Sequence, residues 1–260
     1  MSEPSERNVE ALRRLDALTR QLRVECPWDR EQDERSIVPH TVEEAYELAA
    51  AAHTGDDAKL LDELGDVLFQ VHFLSLLLEE RGAGSLAEVA EHCRQKLIRR
   101  HPHVFGEVAV EGAGEVLRNW DAIKATEAGR EPGIFGEVPD NLPGPLYARK
   151  VQRRAASTGF DFDHVPYEAV EAELEELRSA RDAGQRFHEA GDVLFAAVNL
   201  ARKLKVDPEL ALRAAADRFR GRVEGAEGLA ASEGADWNDL GSDAQLAYYA
   251  RARLNEETET

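Results

Sequence analysis

Glu63-Leu64-Gly65-Asp66-Val67-Leu68-Phe69 returns almost unchanged as Glu189-Ala190-Gly191-Asp192-Val193-Leu194-Phe195. The chain therefore carries one carboxylate-bearing unit twice. A second acidic cluster at helical spacing precedes each copy: Glu43-Glu44-x-x-Glu47 before the first, Glu173-x-x-Glu176 before the second. Leu64, Val67, Leu68 and Val71 recur at helical intervals around Asp66, which puts that carboxylate at the rim of an apolar stripe expected to be buried. Two acidic helix faces, repeated in the same order, point to a metal site rather than to a solvated surface.

Helical signals dominate the rest of the chain and strand signals are nearly absent. Val9, Leu12, Leu15, Leu18 and Leu22 form one stripe, after which Val24–Asp29 breaks the period and reads as a loop. Thr41-Val-Glu-Glu44 has the form of a capping box opening a helix to about His53. Gly55-Asp56-Asp57 turns the chain into a long helix to about Glu80, ended by Gly82 and Gly84, and Ser85-Leu-Ala-Glu88 caps another to about Arg99. His101–Gly106 reads as extended or turning, because Pro102 disfavours helix at the residue before it. A further helix is expected over Gly114–Ala128.

Proline and glycine cluster from Gly129 to Pro145 and mark a boundary, which predicts a first domain over 1–128, a linker over 129–145 and a second domain over 146–260. The second part replays the order: a helix over Tyr147–Ala156, a loop through Phe160-Asp161, an acidic helix near Tyr167, a long helix to Lys205, and one capped by Asp207-Pro208. Trp28/Phe160, Glu44/Glu173, Asp66/Asp192 and Arg100/Arg222 correspond, with connections shortening along the chain. The fold class expected is all-α, a duplicated helical domain of four-helix-bundle type. The tail from Asn255 to Thr260 reads as disordered.

The bulk composition narrows the function. The chain has 260 residues, a hydrophobic content of 43% and a formal net charge of −19. Such a field repels DNA, RNA and anionic membranes, so neither a nucleic-acid polymer nor a membrane is the expected partner. No signal-type apolar region opens the sequence, and the Val67–Leu78 stretch is too short to span a bilayer. Two cysteines, Cys26 and Cys93, match no zinc spacing and fit a reducing cytoplasm.

Residues three or four apart share a helix face, so Glu44 and Glu47 project together and Glu63 and Asp66 project together. Antiparallel packing through Gly55 would make these four carboxylates converge. Unpaired, they repel; a hard divalent cation removes that cost, and an all-oxygen set selects Mg²⁺ or Mn²⁺ over zinc. A basic element follows, Lys96-x-x-Arg99-Arg100-His101-Pro-His103. It either complements a helix C-terminus or binds phosphate. His101 and His103 would cap the helix or touch phosphate, and Trp28 would stack on a base or close the core. No Ser/His/Asp or Cys/His nucleophile and no glycine-rich phosphate loop is evident.

Cys-Pro-Trp28-Asp, Glu43-Glu44-x-x-Glu47, Glu63-x-x-Asp66 and Lys96-x-x-Arg99-Arg100-His-Pro-His-Val-Phe, in this order, resemble the MazG family of nucleoside triphosphate pyrophosphohydrolases. The resemblance covers nearly the whole chain, including the tandem layout. It implies an all-α homodimer that cleaves nucleoside triphosphates to monophosphate and pyrophosphate with Mg²⁺. On that resemblance Glu44, Glu47, Glu63 and Asp66 are metal ligands, and Glu43 orients or deprotonates water. Lys96, Arg99, Arg100, His101, His103 and Trp28 contact the nucleotide.

The second copy keeps four possible ligands in Glu173, Glu176, Glu189 and Asp192, but Ala172 stands at the Glu43 position and Gly221 at that of Arg99. Arg218 replaces Lys96, and Arg222 matches Arg100. The first half is therefore the expected main catalytic site. Alternatives are a deoxynucleotide-specific or phosphoribosyl-ATP-type enzyme of the same superfamily, or a non-catalytic helical partner protein. A di-iron carboxylate protein would need Glu-x-x-His on its ligand helices, and neither Glu63/Asp66 nor Glu189/Asp192 supplies it.

Overall fold

A computed structural model describes residues 5–127, 133–136 and 138–259. Every regular element among them is helical, so the fold is all-α. The polypeptide divides into two compact units, Met1–Arg130 and Glu131–Thr260.

In the first unit α1 (Glu6–Glu25) starts at Ser5, whose side chain accepts from the Asn8 N–H. The loop expected over Val24–Asp29 shrinks to a single extended residue, Cys26. Pro27 has the fixed φ and missing N–H that suit a first helical position, and it opens a short helix, α2 (Pro27–Glu31). The long acidic helix also begins earlier than its sequence suggests. Asp33, not Thr41, is the N-cap of α3 (Glu34–Thr54), in a capping box with Ser36. Thr41 lies inside α3 and donates its hydroxyl to the Ile37 carbonyl at 3.3 Å.

Gly55 adopts the left-handed conformation (φ +71°) that a tight helix-to-helix turn requires and that side chains resist. Asp56 then caps α4 (Asp57–Glu80) as expected, accepting from the N–H groups of Ala58 and Lys59. Ser85 caps α5 (Leu86–Arg100). The His-Pro-His segment is helical rather than extended: Pro102 opens α6 (Pro102–Phe105), again as a first-turn proline. The next helix, α7 (Ala113–Ala125), stops short of the expected Ala128, which lies outside the described residues, as do 129–132 and 137 of the expected linker.

The second unit holds α8 (Gly144–Ala156), α9 (Tyr167–Ser179), α10 (Ala183–Lys203), α11 (Pro208–Ser232) and α12 (Ser242–Glu259), with a 3₁₀ turn over Trp237–Asp239. The tail from Asn255, expected to be disordered, continues α12 as far as Glu259. Glu256 there is pinned by the Arg222 Nε at 2.6 Å.

Packing repeats as the sequence does. In the first unit α4 packs against α1, α3 and α5, and α7 packs on α5. In the second, α10 packs against α8, α9 and α11, and α12 packs on α11. Ile37 from α3 and Phe73 and Leu77 from α4 form the first unit's buried core, with the Phe69 ring tilted against Phe73 at 5.8 Å. Burying side chains of this size contributes about 1.5–3 kcal/mol each, which holds α3 and α4 in register. In the second unit Val198, Ala226 and Ala230 are buried. No helix of the described residues is long and apolar enough to cross a membrane.

Candidate active site

The α3–Gly55–α4 hairpin builds the acidic cluster. The Thr41 hydroxyl of α3, shared with the Ile37 carbonyl, also donates to the buried Gln70 side-chain oxygen of α4 at 3.4 Å. One turn along each helix towards Gly55, this antiparallel register brings Glu44 opposite Asp66. Carboxylate oxygens of Glu44, Glu63 and Asp66 lie within 4.8 Å of one another. Two ligand oxygens on opposite sides of one Mg²⁺ sit about 4.2 Å apart, so the cluster fits such an ion with small side-chain movements. Among the described residues none of the three forms an ion pair.

Their electrostatics fit a cation as well. Desolvation, followed by the charges of Asp66, Glu47, Glu63 and Glu43, pushes the Glu44 carboxyl above its ordinary value. Glu63 is pushed up by desolvation and then by Glu47 and Asp66, against a smaller opposing pull from Lys59. Glu47 thus acts on both, although it stands outside the tight trio and is exposed. Asp66 is exposed too, which corrects the expectation of a buried stripe around it. Leu64, Leu68 and Val71 are 50%, 37% and 40% exposed, and the buried face of α4 is instead Gln70, Phe73 and Leu77.

Glu43 lies one turn before Glu47 and faces solvent. Its Oε2 is 3.3 Å from the Nδ1 of His40, a contact the sequence reading missed because it began the helix after His40. The His40 ring in turn meets the Trp28 ring edge-on at 5.9 Å. Trp28 is half exposed, so it does not close the core. Its segment is fixed from α1: Arg23 donates to the carbonyls of Asp29 and Gln32 while its other edge pairs with Glu80. The structure therefore links Trp28, His40 and Glu43 in a row, and the charge of Glu43 reaches Glu44 of the trio.

The basic residues are arranged differently from the sequence picture of one open edge. Arg99 and Arg100 converge on Glu127, just beyond α7. These two guanidinium groups hold the Glu127 carboxyl down at about 2. The His101 Nδ1 is 2.6 Å from the Leu97 carbonyl, which caps α5, and its ring packs edge-on against Trp120 of α7 at 4.8 Å. His103 stands beside it, ring centroids 5.5 Å apart. Lys96 is half-buried on α5. Glu127 and Trp120 carried no sequence signal, since they sit far along the chain in a segment without a clear period.

The second unit assembles a different trio. Glu173, Glu176 and Glu189 have oxygens within 4.8 Å of one another, and desolvation, followed by the charges of Glu176, Asp192 and Glu189, pushes the Glu173 carboxyl up. Asp192, the counterpart of Asp66, instead lies 3.3 Å from the His188 Nε2. His188 takes the place of Asp62, and that exchange explains the difference. Arg218 and Arg222 line one groove between α11 and α12 together with Glu256.

Comparison with known proteins finds one family profile and several named relatives. The profile of the MazG nucleotide pyrophosphohydrolase domain matches residues 32–105, which include the acidic trio and the basic end of α5. Over 236 residues the chain is 39% identical to the nucleoside triphosphate pyrophosphohydrolase/pyrophosphatase MazG of Thermotoga maritima, spanning 90% of this chain and 91% of that one. It is 38% identical over 219 residues to a nucleoside triphosphate pyrophosphohydrolase of Escherichia coli K12, spanning 80% and 83%. A Bacillus subtilis protein, YabN, is 38% identical over 222 residues, 83% of this chain and 45% of that one.

Proposed function

The chain belongs to the MazG nucleotide pyrophosphohydrolase family, and from that premise we propose that its first unit hydrolyses nucleoside triphosphates to the monophosphate and pyrophosphate. It is a hydrolase of phosphoanhydride bonds, like the relatives so named. The observation that carries the reading is the trio Glu44, Glu63 and Asp66, three carboxylates brought together with no ion pair to any of them among the described residues.

Glu44, Glu63 and Asp66, with Glu47 at their edge, are the residues to hold a divalent cation, Mg²⁺ or Mn²⁺. When bound, such an ion neutralises phosphate oxygens and acidifies water. Glu43 stands outside the trio and accepts the proton of the water whose oxygen attacks the α-phosphorus. The bond from that phosphorus to the bridging oxygen breaks, and pyrophosphate leaves. His40, within reach of Glu43, orients its carboxylate for this transfer. Trp28 offers a half-exposed ring for the base to stack on, and Lys96 and Arg99 offer donors to the phosphates. Arg100, His101 and His103 support this basic end against Trp120. The second unit, with Ala172 in the place of Glu43, is a diverged copy that contributes architecture before catalysis. Glu173, Glu176, Glu189 and Asp192 are its metal-binding candidates, and Arg218 and Arg222 its phosphate-binding ones.

The protein as a whole is proposed to act as a homodimer in the cytoplasm. The apolar positions Leu61, Leu64, Leu68 and Val71, exposed along one face of α4, support the first part. The free cysteines Cys26 and Cys93 support the second.

The test is product identification by ion-exchange chromatography after incubation with each ribo- and deoxynucleoside triphosphate and Mg²⁺. Monophosphate plus pyrophosphate is expected. Glu43→Gln should lower kcat by about 10²–10⁴-fold. Glu44→Gln, which removes a direct ligand, should lower activity by more than the roughly 10–100-fold typical of losing an outer-shell partner, with the fold retained by circular dichroism. Diphosphate plus phosphate, or full activity in Glu44→Gln, would sink the reading.

A further inference from the structure

Arg99 and Arg100 share one carboxylate, but not equally. Arg100 engages both oxygens of Glu127, Nε to Oε1 at 3.0 Å and Nη2 to Oε2 at 2.5 Å, the two-pronged geometry in which a guanidinium binds a carboxylate most firmly. Its guanidinium also lies over the Trp120 ring at 5.6 Å. Arg99 uses only Oε1, donating from Nε at 3.1 Å and from Nη2 at 2.8 Å to an oxygen that already accepts from Arg100. Exposure separates the pair in the same way: the Arg100 and Glu127 side chains are 12% and 15% exposed, that of Arg99 52%. Arg99 can therefore leave Glu127 without stranding a buried charge, and Arg100 cannot.

The duplicated unit shows which half of this arrangement is architectural. Arg222, the counterpart of Arg100, pairs with Glu256 at 2.6 Å beside the aromatic Tyr249. Glu256 follows Tyr249 by seven residues, as Glu127 follows Trp120, so the ring-to-carboxylate spacing in sequence is the same, two turns along α12 in one unit and just past the end of α7 in the other. A pin from the arginine-bearing helix, α5 or α11, to the last helical segment is thus built in both units. The counterpart of Arg99 is Gly221, so only the first unit adds a second arginine to its pin.

We propose that Glu127 is a resident competitor for the phosphate-binding arginine: its Oε1 occupies Arg99 in the nucleotide-free protein, and a phosphate oxygen of the incoming triphosphate displaces it while the Arg100–Glu127 pin stays closed. This rests on the reading of Arg99 as a phosphate ligand. The low value at which Glu127 titrates keeps it ionised across the physiological range, so the competition is always present. The pin also keeps α7 on α5, so the arginine changes partner without the helix having to detach.

Steady-state kinetics of the full chain test it with the variants Glu127→Gln, Arg99→Ala and the double substitution. Urea unfolding establishes that each is folded. A half-exposed ion pair is worth up to about 1 kcal/mol, so Glu127→Gln should lower KM about two- to fivefold without lowering kcat. Arg99→Ala should raise KM, and in its background Glu127→Gln should have no effect on KM. Inorganic pyrophosphate, as a competitive inhibitor, should gain affinity in Glu127→Gln by a similar factor. Glu127→Asp, which keeps the charge but withdraws the carboxylate by one methylene, covers the case in which the glutamine variant does not fold, and should also lower KM. If Arg99→Ala leaves KM unchanged, Arg99 is no phosphate ligand and the underlying reading fails at that residue. If Arg99→Ala raises KM but neither Glu127 variant lowers it, the reading of Arg99 stands and the competitor role is wrong.

Discussion

Glu44, Glu63 and Glu127 show how one residue type takes opposite roles through its neighbours. Desolvation and then like charges push Glu44 and Glu63 up, so the fold holds them at a cost that a bound cation would offset. Two guanidinium groups push Glu127 down, so the fold gains from its ionised form. Because its folded value is depressed from 4.5 to about 2, Glu127 contributes stability that is fully present above 4.5 and lost as pH falls towards 2. Wild type should therefore exceed Glu127→Gln in urea midpoint at neutral pH, with the gap closing between these two values. A gap independent of pH would mean that the glutamate is held by packing and not by its charge. The carboxylate trio was legible as residues because it repeats at helical spacing. Glu127 was not, since a single acid with no periodic neighbours gains its meaning only from the arginines it meets.

Helix starts were the least legible elements. Thr41-x-x-Glu44 has the capping pattern, but Asp33-x-x-Ser36 makes the cap, and Pro39 sits inside the resulting helix. A proline there removes one backbone donor, yet the buried Ile37 and the α4 partner hold the turn before it in helical form. Asp33→Ala should accordingly cost about 1 kcal/mol in urea unfolding, and Thr41→Ala should cost less on capping grounds. The reverse order would place the helix start at Thr41 after all. The earlier start also makes the His40–Glu43 contact possible, because it places the two residues on the same helix, one turn apart. Both short proline-led helices are irregular on the sequence reading, α2 because the hydrophobic period breaks there and α6 because Pro102 disfavours helix at the residue before it. Proline forbids the helix interior, but its first turn needs no donor.

Across the whole molecule, the α4 face bearing Leu61, Leu64, Leu68 and Val71 is left in solvent, and Phe187 and Leu194 of α10 repeat this at 85% and 68% exposure. Such runs at helical spacing are expected to be covered, which the proposed dimer does. Leu68→Glu with Val71→Glu should convert a dimeric wild type to monomer in sedimentation velocity. A wild type that is already monomeric would remove the proposal. The sequence by itself determined the all-α class, the duplication, the hairpin about Gly55 and the identity of the acidic groups, because hydrophobic period, turn residues and repeated carboxylates are local properties of the chain. Only the tertiary structure decided which three carboxylates close up in each unit, that His188 draws Asp192 aside, and that Arg99 and Arg100 meet at Glu127. Those outcomes depend on distances between residues far apart in sequence, set by helix packing, and no local pattern encodes them.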